Sequence, residues 1–159
     1  MLSENRRLVL RVFMELWNDG KLAVADEIFA ANYVNHDPAS PDFPTGPEGL
    51  KQTVELYRNA FPDLQFTNEH MIEAEQFVTT RFNARGTHKG DLRGIPPTDS
   101  SIKVDGIVLH RISGGRIVEG WAVWDALGLM QQMGVIPTLD KVKAQEGKSS
   151  GLGHARHRN

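Results

Sequence analysis

The spacing of apolar residues changes once along this chain, and that change constrains the fold more than any other feature. As far as Phe61 the apolar side chains recur at helical intervals, and from Leu64 to Asp125 they largely alternate with a period of two. A chain that is helical first and extended afterwards predicts an α+β domain, with helices laid on one face of an antiparallel meander.

The helical half reads as three segments. Ser3 to Trp17 carries Leu8, Val12, Phe13 and Leu16 on one stripe, with Ser3 or Asn5 placed to cap its start and Asn18-Asp19-Gly20 to stop it. A short second helix is expected over Leu22–Phe29, with Ala23, Ile28 and Phe29 inward. An extended piece, Asn32 to Pro38, follows. Four of the eight prolines then fall between Pro38 and Pro47, which excludes helix and central strand and predicts a surface flap over a binding site. Gly46-Pro47 opens a third helix whose stripe is Leu50, Val54, Tyr57 and Phe61.

The extended half predicts strands over Leu64–Ile72, Phe77–His88, Ile102–Ile112 and Arg116–Asp125. Ser113-Gly114-Gly115 marks a hairpin between the last two. Simple pairing about those glycines sets Ile112 opposite Ile117 and His110 opposite Glu119, several pairs from Asp125, a gap that strand curvature and a bulge at Asp105-Gly106 could shorten. A closing amphipathic segment, Ala126 to Met133, ends at Gly134. Residues 1–137 therefore form one predicted domain, and residues 138–159, polar and rich in Gly and Ser, a flexible tail. A strongly bent sheet wrapped around a long helix leaves a blind pocket between them.

Composition narrows the chemistry. The 159-residue chain has no cysteine, which removes disulfides, thiolate nucleophiles and Cys-based metal sites together. Its formal net charge of −2 argues against a nucleic-acid partner. No run approaches the roughly 18 apolar residues needed to span a membrane, and the N-terminus lacks the pattern of a secretory leader, so the expected location is cytoplasmic. His36-Asp37, His70, His88 and His110 have no known ligand spacing, so no metal site is expected beyond adventitious binding at His154 and His157 in the tail. There is also no phosphate-binding or dinucleotide motif, so no cofactor is expected.

Several short segments occur together in order: Tyr33-Val34-Asn35-His36, Gly46-Pro47-Glu48-Gly49, Phe61-Pro62-Asp63-Leu64, Gly86-Thr87-His88-Lys89-Gly90, Gly94-Ile95-Pro96-Pro97-Thr98, Leu109-His110-Arg111-Ile112, Gly115-Arg116-Ile117-Val118-Glu119 and Trp124-Asp125-Ala126-Leu127-Gly128. Over roughly residues 3–137 the chain resembles the SnoaL-like polyketide (ester) cyclases of the NTF2-like superfamily. The resemblance implies a cone of curved sheet and helices around a deep pocket. It also implies cofactor-free ring closure of a hydrophobic, oxygenated ester by intramolecular aldol condensation. An aspartate would then act as general acid/base near a histidine and an asparagine, and Asp125, His110 and Asn35 occupy the matching segments. Carriers without catalysis, isomerases, dehydratases and hydroxylases share the scaffold, because fold alone does not dictate function.

The residues themselves leave alternatives. Counting by twos, Asp125 shares a face with Ile117, Glu119, Trp121 and Val123. Desolvation would make a carboxylate ending such a face a stronger base, whereas its place just before a helix equally suits an N-cap. His110 falls on the face of Val108 and Ile112, and His88 on that of Val78, Thr80, Phe82 and Ala84, so either histidine reads as a pocket group or as core. Of the neighbours Asn35 and His36 only one is expected to enter the pocket. Glu119 reads as a partner of His110 or as a rim charge. Trp121, Phe82 and Tyr57 are the expected flat walls for a planar ligand. The open face of the sheet is expected to be covered by a second copy, giving a homodimer.

Overall fold

The computed structural model describes residues 1–140. The chain begins with α1 (Glu4–Arg11), capped by Ser3, whose side chain accepts a hydrogen bond from the Arg6 N–H at 3.1 Å. The expected single helix then widens: Val12–Asn18 is π-helical, as the Asp19 N–H bond to the Met14 carbonyl five residues back indicates. This turn buries Val12, Phe13 and Leu16. It ends at Asn18, whose side chain donates to the Phe66 carbonyl at 3.1 Å and accepts from the Phe66 N–H at 2.7 Å.

The second helix is shorter than its periodicity suggests. α2 spans Val24–Ile28, and Phe29 already belongs to β1 (Phe29–His36). Arg116 fixes that transition by donating to the carbonyls of Asp26 and Phe29. α3 (Pro47–Ala60) begins with proline in its first turn, as the sequence predicts.

The strands β2 (Gln65–Ala74), β3 (Phe77–Thr87), β4 (Ser101–Ser113) and β5 (Arg116–Trp124) follow, and α4 (Ala126–Gln132) closes the domain. The sheet order is β1-β5-β4-β3-β2, antiparallel except where β1 lies parallel to β5. This is the α+β cone expected from the sequence. No helix among the described residues is long and apolar enough to cross a membrane.

Two irregularities set which side chains face inward. In β2 the register slips between Asn68 and His70, so Phe66 and Met71 pack on the core while His70 and Ile72 face out. In β5, Ile112 pairs with Ile117 as expected, but Arg111 pairs with Glu119 and His110 with Gly120. The extra residue, Val118, is a bulge. β4 pairs with β3 without interruption through Asp105 and Gly106, so no bulge there shortens the distance from His110 to Asp125.

The core divides in two. One cluster joins α1, the π-helical turn and α2 to Val78, Ile112 and Ile117 of the sheet. The other joins Ala60, Phe61 and Leu64 to Ala84, Ile102, Val104 and α4. Trp17, Phe66 and Trp124 touch both, standing along the seam between them.

Asn18 is the polar clasp that holds the helical layer to β2. Asn18→Ala leaves the Phe66 backbone groups without these partners, and should lower unfolding free energy by about 1–3 kcal/mol in urea titrations.

Candidate active site

The seam between the two clusters encloses a cavity of about 140 Å³, against the roughly 10–15 Å³ that a single water needs. Phe13 and Trp17 wall it from the helical side and Phe66, Phe82 and Val108 from the sheet. Phe13, Trp17, Phe66 and Phe82 form a continuous aromatic run, with ring centroids 4.8 to 5.9 Å apart. A lining of that kind suits a flat, apolar ligand.

Polar groups enter from few places. β1 and the residue just after it contribute Tyr33, Asn35 and Asp37, which share one face because they are spaced by two. α3 adds Thr53 and Tyr57, β4 adds His110, and β5 adds Trp124. Asp37 is the one carboxylate among the lining residues. The Ala39 N–H donates to its Oδ1 at 2.8 Å, and the Trp124 Nε1–H donates to its Oδ2 at 3.2 Å. The ring of Trp124 meets Tyr57 edge-on at 6.0 Å.

The Tyr33 hydroxyl donates to Asn35 Oδ1 at 2.9 Å. Burial raises the Tyr33 phenol well above its ordinary range, and the charges of Glu119 and Asp37 add to the rise. The phenol therefore stays protonated and holds the Asn35 carbonyl oxygen, leaving the Asn35 amide as a donor. Gly120 is required beneath it: a Cβ there would lie 2.4 Å from the Tyr33 hydroxyl oxygen and 3.5 Å from His110 Cδ2. Phenol and imidazole thus converge over the one position in β5 that has no side chain.

His110 is buried, and burial lowers its pKa to about 4. At neutral pH it is an uncharged imidazole whose Nδ1 has no hydrogen-bond partner among the described residues. It can donate or accept a hydrogen bond without carrying charge.

Of the residues singled out from the sequence, Asn35, His110, Phe82 and Tyr57 line the cavity. The others lie elsewhere, and the Val118 bulge accounts for most of them. One extra residue reverses the faces of everything beyond it. Ala122 and Trp124 therefore look into the cavity, while Glu119 and Trp121 turn to the outer face of the sheet. There Glu119 pairs with His36 at 2.8 Å and Arg111 at 3.0 Å, and His36 stacks on Trp121 at 5.2 Å. These partners, His36 first, lower the Glu119 carboxyl below its usual range.

Asp125 also lies outside the cavity. It is exposed, and its Oδ1 accepts the Gly128 N–H at 2.8 Å, capping α4. His88 is fully buried but does not line the cavity. Its Nδ1 lies 2.9 Å from Thr98 Oγ1 and accepts the Thr98 N–H at 3.3 Å, while its ring rests against Phe61, so it ties down the β3–β4 connection.

The period-two spacing of Tyr33, Asn35 and Asp37 is the sequence signal that would have found the cavity carboxylate. Among the described residues no three His, Cys, Asp or Glu side chains cluster so as to hold a metal ion. His154 and His157 lie outside the described residues.

Residues 7–133 match the family model of the SnoaL-like polyketide cyclases. The chain belongs to that family. Among its relatives, nogalonic acid methyl ester cyclase of Streptomyces nogalater is 29% identical over 119 residues, covering 74% of this chain and 89% of the relative. Aklanonic acid methyl ester cyclase DnrD of Streptomyces peucetius is 29% identical over 134 residues, covering 79% and 88%. Among solved structures, IdmH from Streptomyces antibioticus is 28% identical with a TM-score of 0.73, covering 83% of this chain and 99% of IdmH. TsrD from Streptomyces laurentii, at 22% identity and a TM-score of 0.76 over 86% of this chain and all of TsrD (100%), shares the fold.

The buried imidazole makes this SnoaL-like domain sensitive to acid. The unfolded chain protonates His110 near its ordinary 6.5 and the folded chain only near 4, so unfolding takes up a proton between those values. Stability should fall as the pH drops through this window, by about 2 kcal/mol between pH 7 and pH 5 for this group. Urea titrations of the protein and of His110→Gln at both pH values check this; the variant should lose that part of the slope.

Proposed function

We propose that this SnoaL-like protein closes a ring of an aromatic polyketide ester by cofactor-free intramolecular aldol reaction, with Asp37 as the general acid/base. The observation that carries the reading is a largely apolar, aromatic-walled cavity with a single carboxylate, held at its edge by Trp124 and the Ala39 N–H.

A carbon between two carbonyls is acidic enough for a carboxylate to deprotonate when the resulting enolate is stabilised. Asp37 takes that proton. The amide N–H groups of Asn35 and the neutral imidazole of His110 are suited to stabilise enolate and alkoxide oxygens, as fixed dipoles in a water-poor site do. The enolate carbon bonds to the ketone carbon of the same molecule, and the alkoxide so formed regains the proton from Asp37. No atom is gained or lost. The substrate's own conjugation is the electron sink, so the step needs no cofactor. His110 acts as a dipole and not as an acid, since its pKa of about 4 keeps it neutral at working pH.

The methyl esters of nogalonic and aklanonic acid are suitable assay substrates, because cyclases named for them are relatives of this chain. Asp37→Asn should lower turnover by about 10²–10⁴-fold. Asp125→Asn, in which asparagine still caps α4, should stay within about threefold of the parent. Equal losses in both variants would contradict the assignment.

We also read the protein as a cytoplasmic homodimer joined through the outer face of the sheet. Supporting this, Ile72 and Val123 are each 67% exposed there and Ile107 51%, beside Leu109 and Trp121, which pair across β4 and β5. Contiguous exposed apolar surface of this kind marks an interface. Val123→Glu should halve the mass seen by sedimentation at micromolar concentration, and a parent protein that is already monomeric would rule the dimer out.

A further inference from the structure

A second hollow adjoins the cavity. It has a volume of about 250 Å³ and is bounded by the connection from β1 to α3, residues 37–46, which is the proline-rich flap; Ser40, Asp42, Phe43, Gln52, Thr53 and Arg93 are among its lining residues. Phe43 and Thr53 line both spaces, so the two are neighbours along these side chains. Together the two volumes enter the range of roughly 300–1,000 Å³ typical of ligand sites. The inner chamber is largely apolar. The outer one has the larger polar share, and Arg93 brings a guanidinium to its lining.

Arg93 is displayed there by an uncommon turn. Leu92 and Ile95 exchange hydrogen bonds at 3.0 and 2.9 Å, which makes Arg93-Gly94 a two-residue hairpin loop. Both central residues have positive φ, 49° at Arg93 and 88° at Gly94. Such turns favour Asn or Gly at the first position, and a long side chain there is disfavoured. Asp91 reinforces the loop by accepting the Gly94 N–H at 2.9 Å. The arginine side chain crosses to the flap, donating to Ser40 Oγ at 3.4 Å. It forms no ion pair among the described residues, although Asp42 lines the same hollow.

We propose that the hollow beneath the flap is a second substrate subsite, in which Arg93 recognises an anionic oxygen, a carboxylate or an ionised phenol, at the end of the substrate remote from Asp37. This rests on the cyclase reading above and deepens it. A planar substrate lying across both chambers puts one end against Asp37 and the other under the flap. A negatively charged end is repelled by Asp37 and attracted by Arg93, so one orientation is selected: the charged end outward, the neutral enolisable end inward. Arg93 is within electrostatic reach of the chamber mouth. Burial raises the Tyr57 phenol, the positive charge of Arg93 opposes that rise, and Asp37 adds to it.

The test uses anthraquinone-2-carboxylate and its methyl ester as probes, with affinity read from quenching of tryptophan fluorescence. At low salt the carboxylate should bind about tenfold more tightly than the ester, the scale of a charge-assisted bond weakened by partial exposure. High salt should shrink the difference. Arg93→Gln should abolish the preference, Arg93→Lys should retain part of it, and Asp42→Asn should widen it. A parent protein that does not discriminate, or an Arg93→Gln variant that still does, overturns the subsite. The two readings fail separately. Loss of the preference in Arg93→Gln beside full turnover in Asp37→Asn leaves the subsite and removes the base; an inactive Asp37→Asn beside an indifferent Arg93→Gln does the reverse.

Discussion

The site depends first on one extra residue in β5. Val118 bulges between the Ile112–Ile117 and Arg111–Glu119 pairs, and from there the strand presents Gly120, Ala122 and Trp124 to the interior. Without the bulge, Glu119 and Trp121 would point into the core. With it, the absence of a side chain at Gly120 admits the Tyr33 hydroxyl, and Trp124 reaches Asp37. β1, lying parallel to β5, supplies Tyr33 and Asn35 and, just past its end, Asp37.

That arrangement explains how the domain tolerates polar groups in a largely apolar interior. Each is either held neutral or held in place. The Tyr33 phenol stays protonated and bonds to Asn35, and His110 stays uncharged under desolvation. Asp37, at the edge, has a donor on each carboxylate oxygen. The charges on the outer face follow another logic, satisfying one another at the surface as His36, Glu119 and Arg111 do.

Most of the architecture was legible in the sequence because it rests on periodicity. The helix starts at Ser3 and Pro47, the hairpin at Gly114-Gly115 and the inward face of β3 all follow from local spacing and turn chemistry. The site was harder to read, since a bulge leaves no mark in composition and yet reverses the face of every residue beyond it. Asp125 shows the ambiguity most clearly. Its position before a helix was visible, and so was its parity with Ile117, but only the register decides between them. Asn35 was found and its neighbours Tyr33 and Asp37 were not, although all three obey the same alternation. His88 could not be separated from His110 by pattern either, because both are inward and only their depth along the sheet differs.

The central claim is that the reacting end of the substrate sits inside the seam, against the carboxylate of residue 37. A crystal structure with a non-enolisable analogue of an anthraquinone keto ester tests it directly. The account predicts the rings between Trp17, Phe66 and Phe82, with the carbon that corresponds to the acidic position within about 3.5 Å of an Asp37 oxygen. An analogue bound with that carbon against Asp125, or lying on the outer face of the sheet, would contradict it.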